Sequence, residues 1–319
     1  MKVAVLSGGI SSEHEVSRNS GASVARGLRD AGHEAVEILI ERDGRWLLDD
    51  QAVAIEPAGG LLGCNVAFPV LHGPGGEDGS VQGALEVAGI PYVGSDVEAS
   101  AICMDKLVFK GLLGAHGIPQ VDYCESGMDA WRARAESFGL PLWVKPARLG
   151  SSVGISKVEE LDQLDEAIEA ARRHDPKVIV EASATGKEVE CSILGHRELI
   201  ASIPGEIVTH GGWYDYEHKY SAGGMDLMVP AGISEQASER VRELAQRAFR
   251  LCGCSGLARC DFFVGDQVLL SEINTIPGFT ETSVYGKLLE ASGIPYPDLC
   301  DRLVQLALER HRDLRGYEF

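Results

Sequence analysis

The chain opens on short apolar runs separated by amphipathic stretches. Residues 3–6 read as a strand, the turn Ser7-Gly8-Gly9 follows, and residues 16–30 carry helical spacing that Gly32 stops. Residues 35–40 and 65–71 are further strands, 78–87 a helix, and Tyr92-Val93-Gly94 closes the unit. This alternation predicts a parallel sheet with helices on its faces. In the next stretch, helices are expected near 96–103 and 105–116 and strands at 142–145 and 178–181. Between those strands a helix sets Leu161, Leu164, Ile168 and Ala171 on one face. The last stretch predicts strands, a long aperiodic loop over 206–224, and a helix with Val241, Leu244, Ala248 and Leu251 at helical spacing. Two strands and a terminal helix ending near Arg312 complete it.

A length of 319 residues calls for two or three domains. The pattern divides them as 1–94, 95–181 and 182–319. The fold class is α/β at the start and α+β in the later units.

Composition narrows the function. Asp and Glu outnumber Lys and Arg by 48 to 29, a formal charge of −19, so the chain lacks the basic face that nucleic acid or anionic membranes require. Eight cysteines stand without Cys-x-x-Cys spacing, as expected of buried thiols in a reducing compartment. With no signal-peptide pattern and no apolar run long enough for a membrane span, the expectation is a cytoplasmic protein.

The richest chemistry lies in the segment from Arg259 to Asn274, two apolar strands flanking Gly265-Asp266, a two-residue turn signal. That turn would pair Val264 with Gln267, Arg259 with Glu272 and Asp261 with Leu270. Alternation then gathers Arg259, Asp261, Glu272 and Asn274 on one face. Three oxygen donors and a guanidinium suit Mg²⁺ with substrate phosphate; the bland alternative is a solvated hairpin face with an exposed ion pair. Lys145 ends a strand just before Gly150-Ser151-Ser152-Val153-Gly154, a loop whose clustered N–H groups and hydroxyls suit a phosphate or simply form a hairpin tip. Lys106, in Met104-Asp105-Lys106, opens a helix and either reaches a phosphate or lies on the surface. Glu181 and Glu188 flank a hinge that either holds a nucleotide or merely connects strands. The 206–224 loop, with paired glycines at its ends and Trp213 to Tyr220 between, has the character of a lid. His72 follows a strand in a glycine-rich turn. Glu13 stands beyond the first strand, free to face a ligand if Ser12 and Glu15 form a capping box.

In order along the chain, these pieces resemble the ATP-grasp superfamily and, within it, the D-alanine–D-alanine ligases. The resemblance rests on Gly-Gly-x-Ser-x-Glu-x-Glu-Val-Ser, His-Gly-x-x-Gly-Glu-Asp-Gly, Met-Asp-Lys, Val-Lys-Pro with Gly-Ser-Ser-Val-Gly, Tyr-Asp-Tyr-Glu-x-Lys-Tyr, and Glu-Ile-Asn-Thr-x-Pro-Gly-Phe-Thr. It implies an ATP-grasp fold and ATP as co-substrate, with Lys106, Lys145 and lid residue Lys219 on its phosphates and Glu181 and Glu188 toward adenine and ribose. Asp261, Glu272 and Asn274 would hold two Mg²⁺ ions, or Mn²⁺. Glu13 and His72 would bind the first D-alanine, while Glu13, Ser151 and Tyr220 form a hydrogen-bonded set. Arg259 and Gly278 would stabilise the oxyanion, Ser283 would hold the second carboxylate, and Val284 would line its pocket. The product would be D-alanyl-D-alanine for peptidoglycan precursors, made by a homodimer. Val284 and Glu281 depart from the commonest pattern, which keeps D-serine or D-lactate open as second substrates. A non-catalytic ATP-binding regulator is the alternative of another class.

Overall fold

The opening alternation folds as a five-stranded sheet. Strand β1 (Lys2–Gly8) runs into helix α1 (His14–Asp30), which returns to the parallel strand β2 (Glu34–Ile40). Two short antiparallel strands, β3 (Trp46–Leu48) and β4 (Gln51–Ala52), extend that edge. Neither is legible in the sequence, because so short a run shows no period. Strand β5 (Val66–Pro69) pairs in parallel with the other side of β1. It ends at Pro69, short of the expected residue 71, although the Val70 N–H still donates to the Leu6 carbonyl at 2.9 Å. Helix α2 (Ser80–Ala88) follows. The computed structural model describes residues 1–151, 153–209 and 225–316.

The middle of the chain contributes α3 (Val97–Met104), α4 (Lys106–Ala115), β6 (Tyr123–Glu125), α5 (Trp131–Ser137), β7 (Leu142–Pro146), β8 (Ser156–Val158), α6 (Leu164–Arg172) and β9 (Val178–Ala182). The four strands form an antiparallel sheet in the order β6-β9-β7-β8. Leu164, Ala167, Ile168 and Ala171 of α6 pack with Leu142, Val144 and Val180. Leu161, expected on the same face, lies instead in a 3₁₀ turn and is exposed.

The third sheet joins β10 (Lys187–Gly195), β11 (Leu199–Ala201), β12 (Gly205–Thr209), β13 (Met225–Met228), β14 (Gly256–Val264) and β15 (Val268–Asn274), with α7 (Glu235–Leu251) packed on it. Helices α8 (Val284–Ala291) and α9 (Tyr296–Arg315) end the described chain. Residues 206–209, expected in the lid loop, are part of β12. There Glu206 pairs with Lys187 at 2.9 Å and accepts the Gly232 N–H. Lys219 and Tyr220 lie outside the described residues.

The cores cut across the three segments read from the sequence. Ala99, Phe109 and Leu113 of α3 and α4 pack with Val189 and Leu270 of the third sheet and with Val241 of α7. Leu299, Leu303 and Val304 of α9 pack under Val3, Val5 and Phe68 of the first. Periodicity identifies each helix's apolar face, but the partner is set by topology.

Candidate active site

The polar face of the last hairpin is assembled differently from the simple alternation. The ladder runs Val264 with Val268, Phe263 with Leu269 and Phe262 with Leu270. A bulge then shifts it, so that Asp261 faces Glu272 and Arg259 faces Asn274. The turn holds one more residue than Gly265-Asp266 alone, and Gly265 N–H bonds to the Gln267 carbonyl at 3.0 Å. The expected register put Leu270 opposite Asp261, on the polar face. The extra residue at the bulge, Ser271, reverses the parity. Leu270 is thereby fully buried in the core, and Glu272 joins Asp261 on the outer face.

On that face the Arg259 guanidinium donates from Nε and Nη2 to the two oxygens of Asp261, each at 2.7 Å, and Asn274 Nδ2 donates to Asp261 Oδ2 at 3.1 Å. Glu190, opposite Asp261 on β10, pairs with Arg259 at 2.9 Å. Burial alone would lower the Arg259 pKa, but Asp261 and Glu190 raise it well above its ordinary value, so it is a permanent cation. Two carboxylates and an amide are hard oxygen donors of the kind Mg²⁺ takes alongside substrate phosphates. Among the described residues no group of three or more His, Cys, Asp or Glu is placed to hold a metal by itself. The residues fit the ion.

Lysines face these carboxylates. Lys106 starts α4, whose first N–H groups are capped by the Asp105 carboxylate. Its ammonium donates to the Leu149 carbonyl at 2.9 Å and lies 3.7 Å from Glu272. It therefore joins the glycine-rich loop to the hairpin face. Lys145 on β7 and Glu181 on β9 are diagonal neighbours in the register and pair at 2.6 Å. Lys110, one helical turn beyond Lys106, meets the other oxygen of Glu181 at 3.0 Å. Burial would raise the Glu181 carboxyl, yet Lys145 and Lys110 bring it down to about 2. Burial would likewise lower Lys145, and Glu181 overcomes it, with Glu272 and Glu188 attracting the same ammonium. Lys110 is a residue the sequence reading passed over. Its spacing of four from Lys106 was the available signal.

A second cluster forms where the first sheet meets the segment after β15. Glu13 is 8% exposed and occupies the N-cap of α1 without a side-chain capping bond. The Ser12–Glu15 capping box does not form; Glu15 pairs with Arg18 instead. The Glu13 carboxylate lies beside Gly73 and Gly150, since a Cβ on those glycines would approach it to 3.2 and 4.0 Å. His72 is buried, with Nδ1 at 2.9 Å from the Ile276 carbonyl and Nε2 at 3.1 Å from Ser20 Oγ. The carbonyl requires a proton on Nδ1, so Nε2 accepts from Ser20. Burial holds the imidazole below its ordinary pKa, which favours this neutral tautomer. Glu77, also passed over although it stands inside the His-Gly-x-x-Gly-Glu-Asp-Gly motif, accepts the Gly73 N–H at 2.7 Å and the Ile276 N–H at 3.4 Å. Burial, with Glu13 nearby, pushes its carboxyl up to about 8. Glu77, Lys106, Gly150, Glu272, Asn274 and Thr275 line one small cavity. A larger open depression of about 490 Å³ beside Lys2, Arg29 and Glu37 holds none of these groups and lies on the outside of the first sheet.

Ser283 is the N-cap residue of α8. Its hydroxyl accepts from Thr280 N–H at 3.0 Å and lies 3.3 Å from where a Gly278 Cβ would stand, so Gly278 and Ser283 are brought together. Val284, read as lining a pocket, is 7% exposed and packs with Ile207 and Leu288. Ser151 has φ of 53°, a left-handed conformation that turns the loop next to Gly150. Glu188 lies on β10 opposite Phe263, on the same face as Glu190.

Three kinds of comparison agree. A family model described as the D-ala D-ala ligase C-terminus matches residues 112–305, and one for the D-ala D-ala ligase N-terminus matches 2–60 and 55–95. A D-alanine–D-alanine ligase from Deinococcus radiodurans is 45% identical over 97% of this chain and 98% of its own. The solved D-alanine-D-alanine ligase from Coxiella burnetii superposes with a TM-score of 0.90 at 34% identity, covering 99% of this chain and 96% of that one. The D-Ala:D-Ser ligase VanG from Enterococcus faecalis superposes at 0.86 with 35% identity, covering 96% and 99%. With both terminal models matched and relatives aligned end to end, the chain belongs to the D-alanine–D-alanine ligase family.

Proposed function

We propose that this chain is an ATP-dependent ligase that joins two D-alanines into D-alanyl-D-alanine through a D-alanyl phosphate, a product consumed in peptidoglycan precursor synthesis. The observation that carries the reading is the opposition of Asp261, Glu272 and Asn274 to Lys106 and Lys145. It provides carboxylates for a divalent ion and ammonium groups for the phosphates of one nucleotide. ATP lies in the space between the second and third sheets, the product of central and C-terminal units at 95–181 and 182–319, while residues 1–94 carry the first amino acid. Asp261, Glu272 and Asn274 hold Mg²⁺, which when bound neutralises phosphate charge during transfer of the γ-phosphoryl group.

Lys106 and Lys145 orient the phosphates, and Glu181 and Glu188 face the base and ribose. Glu13 receives the ammonium of the first D-alanine beside His72 and Gly150. The carboxylate oxygen of that D-alanine attacks the γ-phosphorus, the bond from the γ-phosphorus to the bridging oxygen of ADP breaks, and ADP leaves. The amine of the second D-alanine, its carboxylate on Ser283 next to Val284, then attacks the acyl carbon. Arg259 and the Gly278 N–H stabilise the oxyanion that forms. The remainder of the expected lid, residues 210–224, would exclude water, carrying Lys219 to the phosphates and Tyr220 to Glu13 and Ser151. Among the described residues no helix is long and apolar enough to cross a membrane; we place the enzyme in the cytoplasm, as a homodimer.

The test is a turnover screen with D-alanine as first substrate and D-alanine, D-serine or D-lactate as second. D-alanyl-D-alanine as the dominant product supports the reading. Dominance of D-alanyl-D-serine would move the chain to the chemistry in the name of its Enterococcus faecalis neighbour. Tyr220→Phe is expected to keep ATP binding and raise the depsipeptide fraction made from D-lactate. It removes one hydrogen bond, worth about 1 kcal/mol, from the set that selects an amine. Competition of D-alanine with D-lactate near neutral pH reads it, and an unchanged depsipeptide fraction would remove Tyr220 from that role.

A further inference from the structure

The segment 276–279, which carries Gly278, hangs between β15 and α8, and its hold comes from the other end of the molecule. Ile276 is gripped through both polar atoms of its backbone. His72 Nδ1 donates to its carbonyl at 2.9 Å, and Glu77 Oε1 accepts its N–H at 3.4 Å. Three residues on, the Phe279 N–H donates to Ser20 Oγ at 3.3 Å, and that hydroxyl bonds to His72 Nε2 at 3.1 Å. Glu77 is itself anchored, because its second oxygen accepts the Gly73 N–H at 2.7 Å. Ser20 is on α1, and His72 and Glu77 are in the turn after β5. The first sheet thus fixes the backbone on both sides of Gly278. The Phe279 side chain completes the hold, buried at ring-centroid distances of 5.6 Å from Phe68 and 5.5 Å from Tyr285.

We propose that Glu77, with Ser20, is a positioning residue for the second half of the reaction, aiming the Gly278 N–H at the oxyanion through the Ile276 and Phe279 peptides. This rests on the reading of Gly278 as an oxyanion donor. In that half-reaction the amine nitrogen of the second D-alanine bonds to the acyl carbon. The carbonyl electrons move onto oxygen, and their return breaks the carbon–oxygen bond to phosphate. Inorganic phosphate leaves and the ammonium proton passes to solvent. A donor displaced by even an ångström loses most of its effect on such an oxyanion, while phosphoryl transfer, at the metal and lysine groups, is left in place.

The experiment separates the halves. Positional isotope exchange in ATP labelled at the β,γ-bridge, measured with D-alanine, reports reversible acyl phosphate formation, and dipeptide formation reports the whole reaction. Glu77→Ala is expected to lower kcat for dipeptide about a hundredfold, with the KM for ATP and the isotope exchange within severalfold of the parent. Glu77→Gln keeps one of the two acceptor oxygens and should fall between. Ser20→Ala removes the Phe279 contact and the donor to His72 Nε2 from a small buried side chain, leaves the two Ile276 contacts in place, and should reproduce the split more weakly even if Glu77→Ala fails to fold. Equal loss of exchange and dipeptide in Ser20→Ala and Glu77→Gln would overturn the proposal, as would variants that lower thermal stability without changing kcat. If the parent enzyme shows no D-alanine-dependent exchange, the ligase reading itself fails, a result distinguishable from either of these.

Discussion

Asp261→Asn is expected to lower kcat for dipeptide formation by about 10²–10³-fold at saturating Mg²⁺ while the protein remains folded. The carboxylate faces Glu272 across one rung of the β14–β15 ladder, and a neutral amide there removes half the charge set against a divalent ion. The fold should tolerate the change. Arg259 keeps Glu190 at 2.9 Å as a partner, so no buried cation is stranded. Glu272→Gln should behave likewise, because its side chain is 33% exposed and tolerates a neutral isostere. Steady-state kinetics over a Mg²⁺ series, with unfolding curves on the same samples, check both. Near-parental kcat with unchanged stability in either variant would remove that residue from the metal set.

Glu181→Gln is the variant expected to cost the most stability. The carboxylate, 5% exposed, lies between Lys110, itself 2% exposed, and Lys145. Replacing it leaves the Lys110 ammonium buried without its counter-charge, a class of change that costs about 3–5 kcal/mol. The sign of the pH dependence follows from the folded pKa of about 2 against an unfolded value near 4.3. The folded carboxyl is depressed, so its contribution is present in full above the unfolded value and is lost as pH falls toward the folded one. The parent should lose stability between about pH 5 and 2 more steeply than Glu181→Gln. Urea unfolding at several pH values measures this. A variant as stable as the parent at neutral pH, with the same acid slope, would contradict the buried triad.

The hairpin shows how far the sequence reaches. A turn signal marks where the chain reverses, though not the length of the turn, and the two strands and the gathering of Arg259, Asp261, Glu272 and Asn274 on one face are legible from period-two alternation. The register is not, because the bulge at Ser271 is a choice of backbone geometry that local hydrophobicity does not encode. Glu77 and Lys110 illustrate a different limit. Each sits in a motif or helix the sequence exposes plainly, but their partners, Ile276 and Glu181, are about 200 and 71 positions away. Nothing local marks a contact of that range. The same holds for α9, whose apolar face is clear although the sheet it covers begins at Lys2.

The central claim is that one face of the last hairpin and the lysines opposite it couple ATP cleavage to joining two D-alanines. The most direct measurement is the stoichiometry of ADP, inorganic phosphate and D-alanyl-D-alanine released by the purified chain with ATP, Mg²⁺ and D-alanine. The account predicts equal amounts of all three, with no ADP release when D-alanine is omitted. ATP bound without D-alanine-dependent ADP release, or ADP released without dipeptide, would contradict it.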